Sequence, residues 1–522
     1  MTRRDAEGCA MWLEGLRQGL RRPPVEAPAP TADICLVVEG CYPYVPGGVS
    51  TWVDWLIKGN PDLTFAIVAL VADPSPREIR YTLPANVVRF ESLPLTVPLD
   101  ALRWRDRAPP AVEIALADTL VALVNGGGLA ALRDLVQLIR DPANHLSLGA
   151  LMASQLSWRL ASATYERLMP HASFLHFFWA WRALFGGLFA VVTAPLPPAR
   201  VYHTISTGYA GLFAARAALE TGAPTLITEH GIYTNERRVE ILMAEWICDT
   251  VDKGISLQDE RVDLRDIWIR TFEAHALVCY QACARILTLY EDNQRLQRAL
   301  GAPQDRLAVI PNGIDLARFA SVAPVGANAP PTVALIGRVV PIKDVKSFID
   351  AVALIRRNVP GLRALVLGPT DEDPQYFEEC CRRVAEHALE ETLTFTGPVN
   401  IVAYMSQIHV VVLTSLSEAQ PLVILEAGAA GIPTVATDVG ACREMIEGRA
   451  DEAPRLGPGG EVTRLVDPQQ TAEAVAGLLQ NEPRRRACGE AMRARVRQSY
   501  SSADALAAYA RTYAAFLDGS GS

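Results

Sequence analysis

The sequence predicts an α/β protein made of two doubly wound domains that face each other across a cleft, with a helical insertion in the first. Three observations carry this expectation. Apolar runs of strand length alternate with helical patterns. The alternation stops at a linker near residue 320 and then restarts. A chain of 522 residues that is 50% hydrophobic has enough apolar surface for two or three domains, each with its own core. The same composition excludes a disordered chain. With 49 basic against 58 acidic side chains the net charge is −9. No basic excess is left to neutralise phosphates, so nucleic acid is excluded as a partner.

Residues 1–32 read as an extension and linker. An amphipathic stretch at Met11–Arg22 leads into a proline-rich run that forbids helix. The first domain, 33–320, opens with Ile34–Glu39, a continuous apolar run bounded by glycine, as a buried parallel strand reads. Further strands are expected at Thr64–Val71, Val201–His203, Pro224–Thr228, Ile286–Leu289 and Leu307–Ile310, with helices at Thr51–Ile57 and Tyr209–Thr221. Residues 95–195 are rich in alanine and leucine and carry few strand signals, which marks a helical insertion. Ser321–Pro331 is the linker. The second domain, 321–490, repeats the alternation with strands at Thr332–Ile336, Arg363–Leu367, Thr392–Phe395, His409–Leu413, Pro433–Ala436 and Val462–Leu465. Two helical patterns, Pro483–Ser499 and Ala503–Leu517, close the chain. Residues 491–522 fit either domain, including a return to the first.

Ten scattered cysteines, with only Cys380–Cys381 and Cys279 with Cys283 close in sequence, suggest neither a zinc ribbon nor a disulfide framework, and a reducing cytoplasm is expected. The amino terminus is charged and lacks a signal-peptide core. The longest apolar run nearby, 183–195, is about 13 residues against the roughly 20 that cross a bilayer.

Ligands of open α/β sheets bind at the carboxyl ends of the strands, so residues there are the candidates. Gly47-Gly48 follows the first strand and opens a helical pattern, where backbone N–H groups and the helix dipole suit an anion; a plain strand-to-helix turn fits equally. Gly337-Arg338 and Lys343 end the first strand of the second domain. Arginine offers a planar fork and lysine a point charge, two ways to neutralise a pyrophosphate; solvated loop cations are the alternative. Glu418 falls in a turn after an apolar strand. Glu426 lies eight residues on, in an otherwise apolar helix that starts near Pro421, where a carboxylate needs a partner, either ligand hydroxyls or an arginine. Two histidines sit at strand ends. His203 reads as structural, and His230 is favoured because Gly231 lets a backbone approach. Pro311-Asn312-Gly313-Ile314-Asp315 reads as a tight turn.

Together, Gly47-Gly48, His230-Gly231, Pro311–Asp315, Gly337-Arg338 with Lys343, and Glu418 with Glu426 resemble the ordered motifs of the retaining family 4 glycosyltransferases with the GT-B fold, over about residues 33–500. Segments 38–52 and 228–238 are similar to the members that make the Pel exopolysaccharide. The resemblance implies two Rossmann-like domains. It also implies transfer of a hexose or N-acetylhexosamine from a UDP-sugar to a growing polysaccharide acceptor, without cofactor or metal. His230, Glu418, Arg338 and Lys343 would be catalytic. Arg338 and Lys343 would hold the donor diphosphate, with Gly47 and Gly48 bringing amides to it. Glu426 would take the ribose. Glu418 and the following Ala419, Gln420, Pro421, Leu422 and Val423 would meet the donor sugar, and Gly397 and Val399 the base. Cytoplasmic work beside inner-membrane Pel export and synthesis proteins is implied as well. Two departures stand out, Ala419 and Asp344, where many relatives carry glycine. A same-fold enzyme acting on a lipid or small molecule, and a catalytically silent nucleotide-binding protein, are the rival readings.

Overall fold

The computed structural model describes residues 31–96, 108–244, 247, 262–326 and 328–519, so the amphipathic stretch at 11–22 lies outside the described residues. The first half holds a seven-stranded sheet: β1 (Ala32–Glu39), β2 (Phe65–Val71), β3 (Val87–Pro94), β4 (Ala199–Thr204), β5 (Thr225–Glu229), β6 (Arg285–Thr288) and β7 (Leu307–Val309). Its order is β3-β2-β1-β4-β5-β6-β7, with every pairing parallel. The second half holds β8 (Thr332–Ile336), β9 (Arg363–Leu367), β10 (Leu393–Gly397), β11 (Val410–Leu413), β12 (Thr434–Thr437) and β13 (Gly460–Thr463), ordered β10-β9-β8-β11-β12-β13 and again parallel. This is the two-domain α/β architecture of the GT-B fold. The order reverses between β1 and β4 and between β8 and β11, and those two points open a crevice at the strands' carboxyl ends.

Central strands carry long apolar stretches because helices cover both faces. β2, for example, is buried at all seven positions. β3 escaped the sequence reading for the same reason inverted. As an edge strand it is only partly covered and carries Arg89 and Glu91, so it shows no continuous apolar run. β13 starts at Gly460, two residues ahead of the expected Val462. A Cβ at Gly460 would lie 1.8 Å from the Thr434 carbonyl oxygen, so the approach of β12 selects glycine there.

Helix α1 (Gly48–Lys58) follows β1. Between β3 and β4 lie α2 (Pro110–Val124), α3 (Gly128–Arg140), α4 (Leu148–Ala153), α5 (Gln155–Leu168) and α6 (Phe174–Thr193). α6 is long and apolar enough to cross a bilayer by length and composition, which the run counted from residue 183 missed because Arg182 interrupts it. The Arg182 guanidinium donates to the Met152 carbonyl (2.8 Å), and two thirds of the helix's most apolar stretch is buried in the first half's core. After β4, α7 (Tyr209–Thr221) lies along α6. The Tyr209 hydroxyl donates to the Leu184 carbonyl (2.9 Å), and the fully buried Arg216 donates to the carbonyls of Val191 (2.6 Å) and Ala194 (2.7 Å). α8 (Tyr233–Met243), α9 (Leu264–Ala282) and α10 (Asp292–Ala299) complete this half.

The second half contributes α11 (Val345–Asn358), α12 (Pro374–Glu386), α13 (Ile401–Met405), α14 (Leu422–Ala430), α15 (Cys442–Glu447), α16 (Pro468–Gln480) and α17 (Glu482–Ser499). Position 491 falls inside α17, which stays with the second half: Val496 and Met492 press on Gly428 of α14, where a Cβ would lie 2.7 Å from Val496. The chain crosses back at Tyr500–Ser501. There Ile314 N donates to the Tyr500 carbonyl and Ser502 N to the Ile314 carbonyl, both at 3.0 Å. The turn expected at Pro311–Asp315 is therefore the outgoing crossing. A Cβ on Gly313 would lie 2.5 Å from Ser502 Cα, which accounts for the glycine. The last helix, α18 (Ser502–Leu517), seats Tyr509 and Tyr513 against the first sheet.

Candidate active site

The crevice of the second half is built by two loops. After β8, a single 3-10 turn at Pro341–Lys343 leads to Asp344, which holds a left-handed φ of 44° and caps α11 by accepting from Ser347 N (3.3 Å). Aspartate tolerates that conformation better than most residues, so glycine is dispensable here. After β11, the Thr414 hydroxyl donates to the carbonyls of Lys343 (3.0 Å) and Asp344 (2.9 Å), and Leu416 N donates to the Ile342 carbonyl (2.9 Å). Zipped together in this way, the loops bring Lys343 Nζ to 2.5 Å from Glu418 Oε1, and the Ser415 hydroxyl donates to the same oxygen (2.7 Å). The pair is largely covered, with side chains 19% and 13% exposed, so its charges are poorly screened by water.

The turn after Glu418 is held from behind. Ala441 N donates to the Ala419 carbonyl (2.8 Å), and Gly440, with φ 51°, packs so closely that a Cβ would lie 2.1 Å from the Glu418 carbonyl oxygen. Gly440→Ala is therefore expected to destabilise the protein by about 1–3 kcal/mol and to displace the 418–419 turn. Thermal unfolding and nucleotide affinity, measured together, check this; an unchanged pair of values would refute it.

Glu426, on α14, is mostly covered. Burial raises its pKa, and Arg318 opposes that from 3.8 Å. Both partners weighed from the sequence thus remain in play: an arginine is present, yet it is half-exposed and loosely paired. Ligand hydroxyls would relieve the rest of the desolvation.

Other residues of the expected set are placed differently. Arg338 carries its guanidinium to Glu372, and both side chains are about half-exposed, so the structure does not join it to Lys343 and Glu418. The Gln420 side chain braces the two halves. Its Oε1 accepts from Asn312 N (2.6 Å) and its amide donates to the Leu289 carbonyl (3.3 Å), leaving at most its backbone for a ligand. Ala419 and Val423 pack into the second half's core, Pro421 is buried just ahead of α14, and Leu422 is exposed at its first turn. Gly397 ends β10 with φ 67°, and its carbonyl accepts from Gly368 N (3.1 Å); Val399 packs beside it against the core.

Across the crevice, Gly47 and Gly48 are exposed at the start of α1, and a Cβ on either would meet nothing within 4 Å. Trp52, one turn on, stands edge-on to His230 with centroids 4.7 Å apart, which places the glycine loop and the histidine side by side. His230 Nε2 is buried and has no hydrogen-bond partner among the described residues, and burial pushes the imidazole down to about 4. It is neutral at pH 7 and able to donate or accept. His203 lies deeper with both ring nitrogens engaged, Nδ1 by the Tyr513 hydroxyl (2.7 Å) and Nε2 by the Thr228 hydroxyl (2.9 Å). It is structural.

Sequence reasoning missed Thr414, Ser415, Arg318, Trp52 and Gly440. Trp52 and Ser415 lay inside segments already singled out, without a role assigned to either. Thr414, Arg318 and Gly440 act through tertiary contacts that no local spacing encodes.

Buried titratable groups give this fold a pH signature. Burial holds His203 and His275 at about 3 and His230 at about 4. In the unfolded chain they titrate near 6.5, so the unfolded state binds more protons below that value, and their contribution to stability is lost as pH falls from about 6.5. Glu229 has the opposite sign. Burial raises it to about 7 against hydrogen bonds from Gln297 and Tyr280, so it costs stability as pH rises from its ordinary value of 4.5. The three large histidine shifts, with His409 lowered as well, outweigh Glu229, and the smaller rises at Glu236, Glu426 and Glu444 reduce the net. Stability should fall between pH 6.5 and 4.5 by at most about 1.4 kcal/mol per pH unit for each net proton. Urea midpoints over that range check this, and a midpoint that rises on acidification would contradict it.

Residues 32–305 match the family model described as Domain of unknown function (DUF3492), and residues 330–481 match that of Glycosyl transferases group 1. A D-inositol 3-phosphate glycosyltransferase of Nocardia farcinica is 32% identical over 212 residues, covering 38% of this chain and 45% of the relative. The chain spans less than half the length of the first curated relatives it matches. Sucrose-phosphate synthase of Thermosynechococcus elongatus superposes over 93% of this chain and 99% of its own, with TM-score 0.55 and 16% identity. HepE of Anabaena in complex with UDP superposes over 92% and 100%, with TM-score 0.56 and 13% identity, and its complex with UDP-glucose gives 0.52.

Proposed function

This chain belongs to the DUF3492 family, whose model spans more than half of its length, and from that premise we propose that it is a retaining family 4 glycosyltransferase of the PelF type. It transfers a hexose or N-acetylhexosamine from a UDP-sugar to a growing exopolysaccharide. The group 1 glycosyltransferase match over the second half and the UDP and UDP-glucose complexes of HepE support a nucleotide-sugar donor there. The observation that carries the reading is the covered Lys343–Glu418 pair at the second switch point, with Glu426 mostly buried on the helix that follows.

In the proposed reaction the Lys343 ammonium and the open amides at Gly47 and Gly48 stabilise charge that develops on the departing diphosphate. Neutral His230 lies beside the reacting centre, and Glu418 orients the donor sugar while fixing Lys343. The departing phosphate oxygen accepts the acceptor's proton on the same face, so retention requires no separate carboxylate base and no metal. The donor is one of UDP-N-acetylgalactosamine, UDP-N-acetylglucosamine and UDP-glucose. The work is done in the cytoplasm at the inner membrane, together with the Pel export and synthesis proteins.

Incubation with each UDP-sugar and an oligosaccharide acceptor, with proton NMR of the new anomeric centre, tests this. Product whose anomeric configuration matches the donor, formed equally in the presence of EDTA, is expected. Inversion, dependence on a divalent cation, or nucleotide binding without turnover would each overturn part of the proposal, the last in favour of a silent binding protein.

A further inference from the structure

The helical segment between β3 and β4 ends in an aromatic surface that nothing in the donor chemistry uses. Trp158 of α5 and Leu175 and Trp179 of α6 are 54%, 62% and 54% exposed. Trp158 contacts Phe174 (5.3 Å between centroids) and Phe178 (5.6 Å), and Phe178 contacts Trp179 (5.7 Å). Two exposed tryptophans and the two half-buried phenylalanines between them thus form one contiguous aromatic platform. An apolar surface of this kind on a folded chain marks a binding site.

Its place in the fold follows from α6. Tyr209 opens α7 at the carboxyl edge of β4, and its hydroxyl meets the Leu184 carbonyl. A Cβ on Gly186 would lie 3.8 Å from the carbonyl of Leu95, just past the carboxyl end of β3. Further along, Val191 and Ala194 bind Arg216, two turns down α7 from that edge. The carboxyl edge of the first sheet therefore lies near residues 184–186. The preceding residues, 174–183, rise beyond it by about 15 Å at 1.5 Å per residue. The platform stands on the crevice side of the first half.

The charges around it cancel. Arg159 pairs with Glu113 and Arg167 with Asp118, while Arg182 lies over the Phe178 ring (6.0 Å) and Glu166 balances it in number. An anionic lipid surface calls for a cationic surplus, which the described residues around this surface do not supply. A neutral ligand with flat apolar faces fits: the C–H faces of pyranose rings stack on aromatic rings, and a row of such rings suits a repeating chain. We propose that the platform formed by Trp158, Phe174, Phe178 and Trp179 binds successive sugar rings of a neutral glycan and holds the acceptor polymer at the cleft. The acceptor role rests on the glycosyltransferase reading above; the binding itself does not.

The test compares the wild-type chain with the double variant Trp158→Ala/Trp179→Ala. Both sites are exposed, and equal melting temperatures verify the fold. Affinity electrophoresis in gels containing glycol chitin or hydroxyethyl cellulose, two neutral polysaccharides, is run beside calorimetric titration with UDP. Retardation of the wild type by at least one polymer, weakened about tenfold or more in the double variant with UDP affinity unchanged, is expected. Equal retardation of both proteins, or none of either, would overturn the platform. So would sedimentation with phosphatidylglycerol vesicles that the double variant alone loses, because the surface would then be a membrane site. Failure of UDP to bind either protein, with polymer retardation intact, would sink the glycosyltransferase reading and leave the glycan site standing.

Discussion

Lys343→Ala is expected to lower turnover by about two to three orders of magnitude while leaving the fold intact, as removal of one well-placed electrostatic stabiliser does. The effect is large because the ammonium is held, not merely present. Its backbone carbonyl accepts from Thr414, its loop is tied to Leu416, and its Nζ is fixed by Glu418 in a setting only 19% exposed. A cation so placed need not reorganise as charge builds on a departing phosphate. The fold survives because Glu418 keeps the Ser415 hydroxyl as a donor. Initial-rate measurements with a saturating UDP-sugar, beside a thermal melt, check both halves of the prediction. An unchanged kcat would remove Lys343 from the site. A lost melting transition would make its role structural.

The largest effect on stability is expected at Arg495. This side chain of α17 is 2% exposed and pairs with Glu452, 5% exposed, through Nε at 2.6 Å and Nη2 at 3.0 Å. It also donates to the carbonyls of Ile446 (2.7 Å) and Gly457 (2.6 Å). Arg495→Met leaves the covered Glu452 carboxylate with the Leu456 N–H in place of its charged partner and takes the donor from the Gly457 carbonyl, while the Ile446 carbonyl keeps Gly459 N, a loss of about 3–5 kcal/mol. The double change Arg495→Met/Glu452→Leu removes the orphaned charge and should recover part of it. The loss should appear as a shift in one of two urea transitions, since two halves with separate cores need not unfold together. A loss below about 1 kcal/mol in the single variant would contradict the network's role.

Most of the second half was legible, and the reason is physical. Strand interiors covered on both faces, such as 333–336 and 364–367, are apolar throughout, and that run survives in any window of sequence. β3 was not legible because an edge strand is free to carry Arg89 and Glu91. α6 was underestimated because one arginine broke the run, although that arginine hydrogen-bonds inward. In the site, Lys343, Glu418 and Glu426 stood out as charged residues in apolar or glycine-bearing surroundings. Side-chain direction was out of reach. Arg338 turns to Glu372, and Gln420 is occupied with Asn312 and Leu289, partners 108 and 131 residues away in the chain. Such contacts depend on how the two halves meet, which spacing along one loop does not record.

The donor site in the second half is tested most directly by calorimetric titration of the intact chain and of Glu426→Ala with UDP, ADP and GDP. One UDP per wild-type chain is expected, bound more tightly than ADP or GDP and weakened at least tenfold in the variant, where the carboxylate for the ribose hydroxyls is gone. No binding of any nucleotide at millimolar concentration, or UDP binding indifferent to Glu426, would contradict the placement of the donor in this crevice.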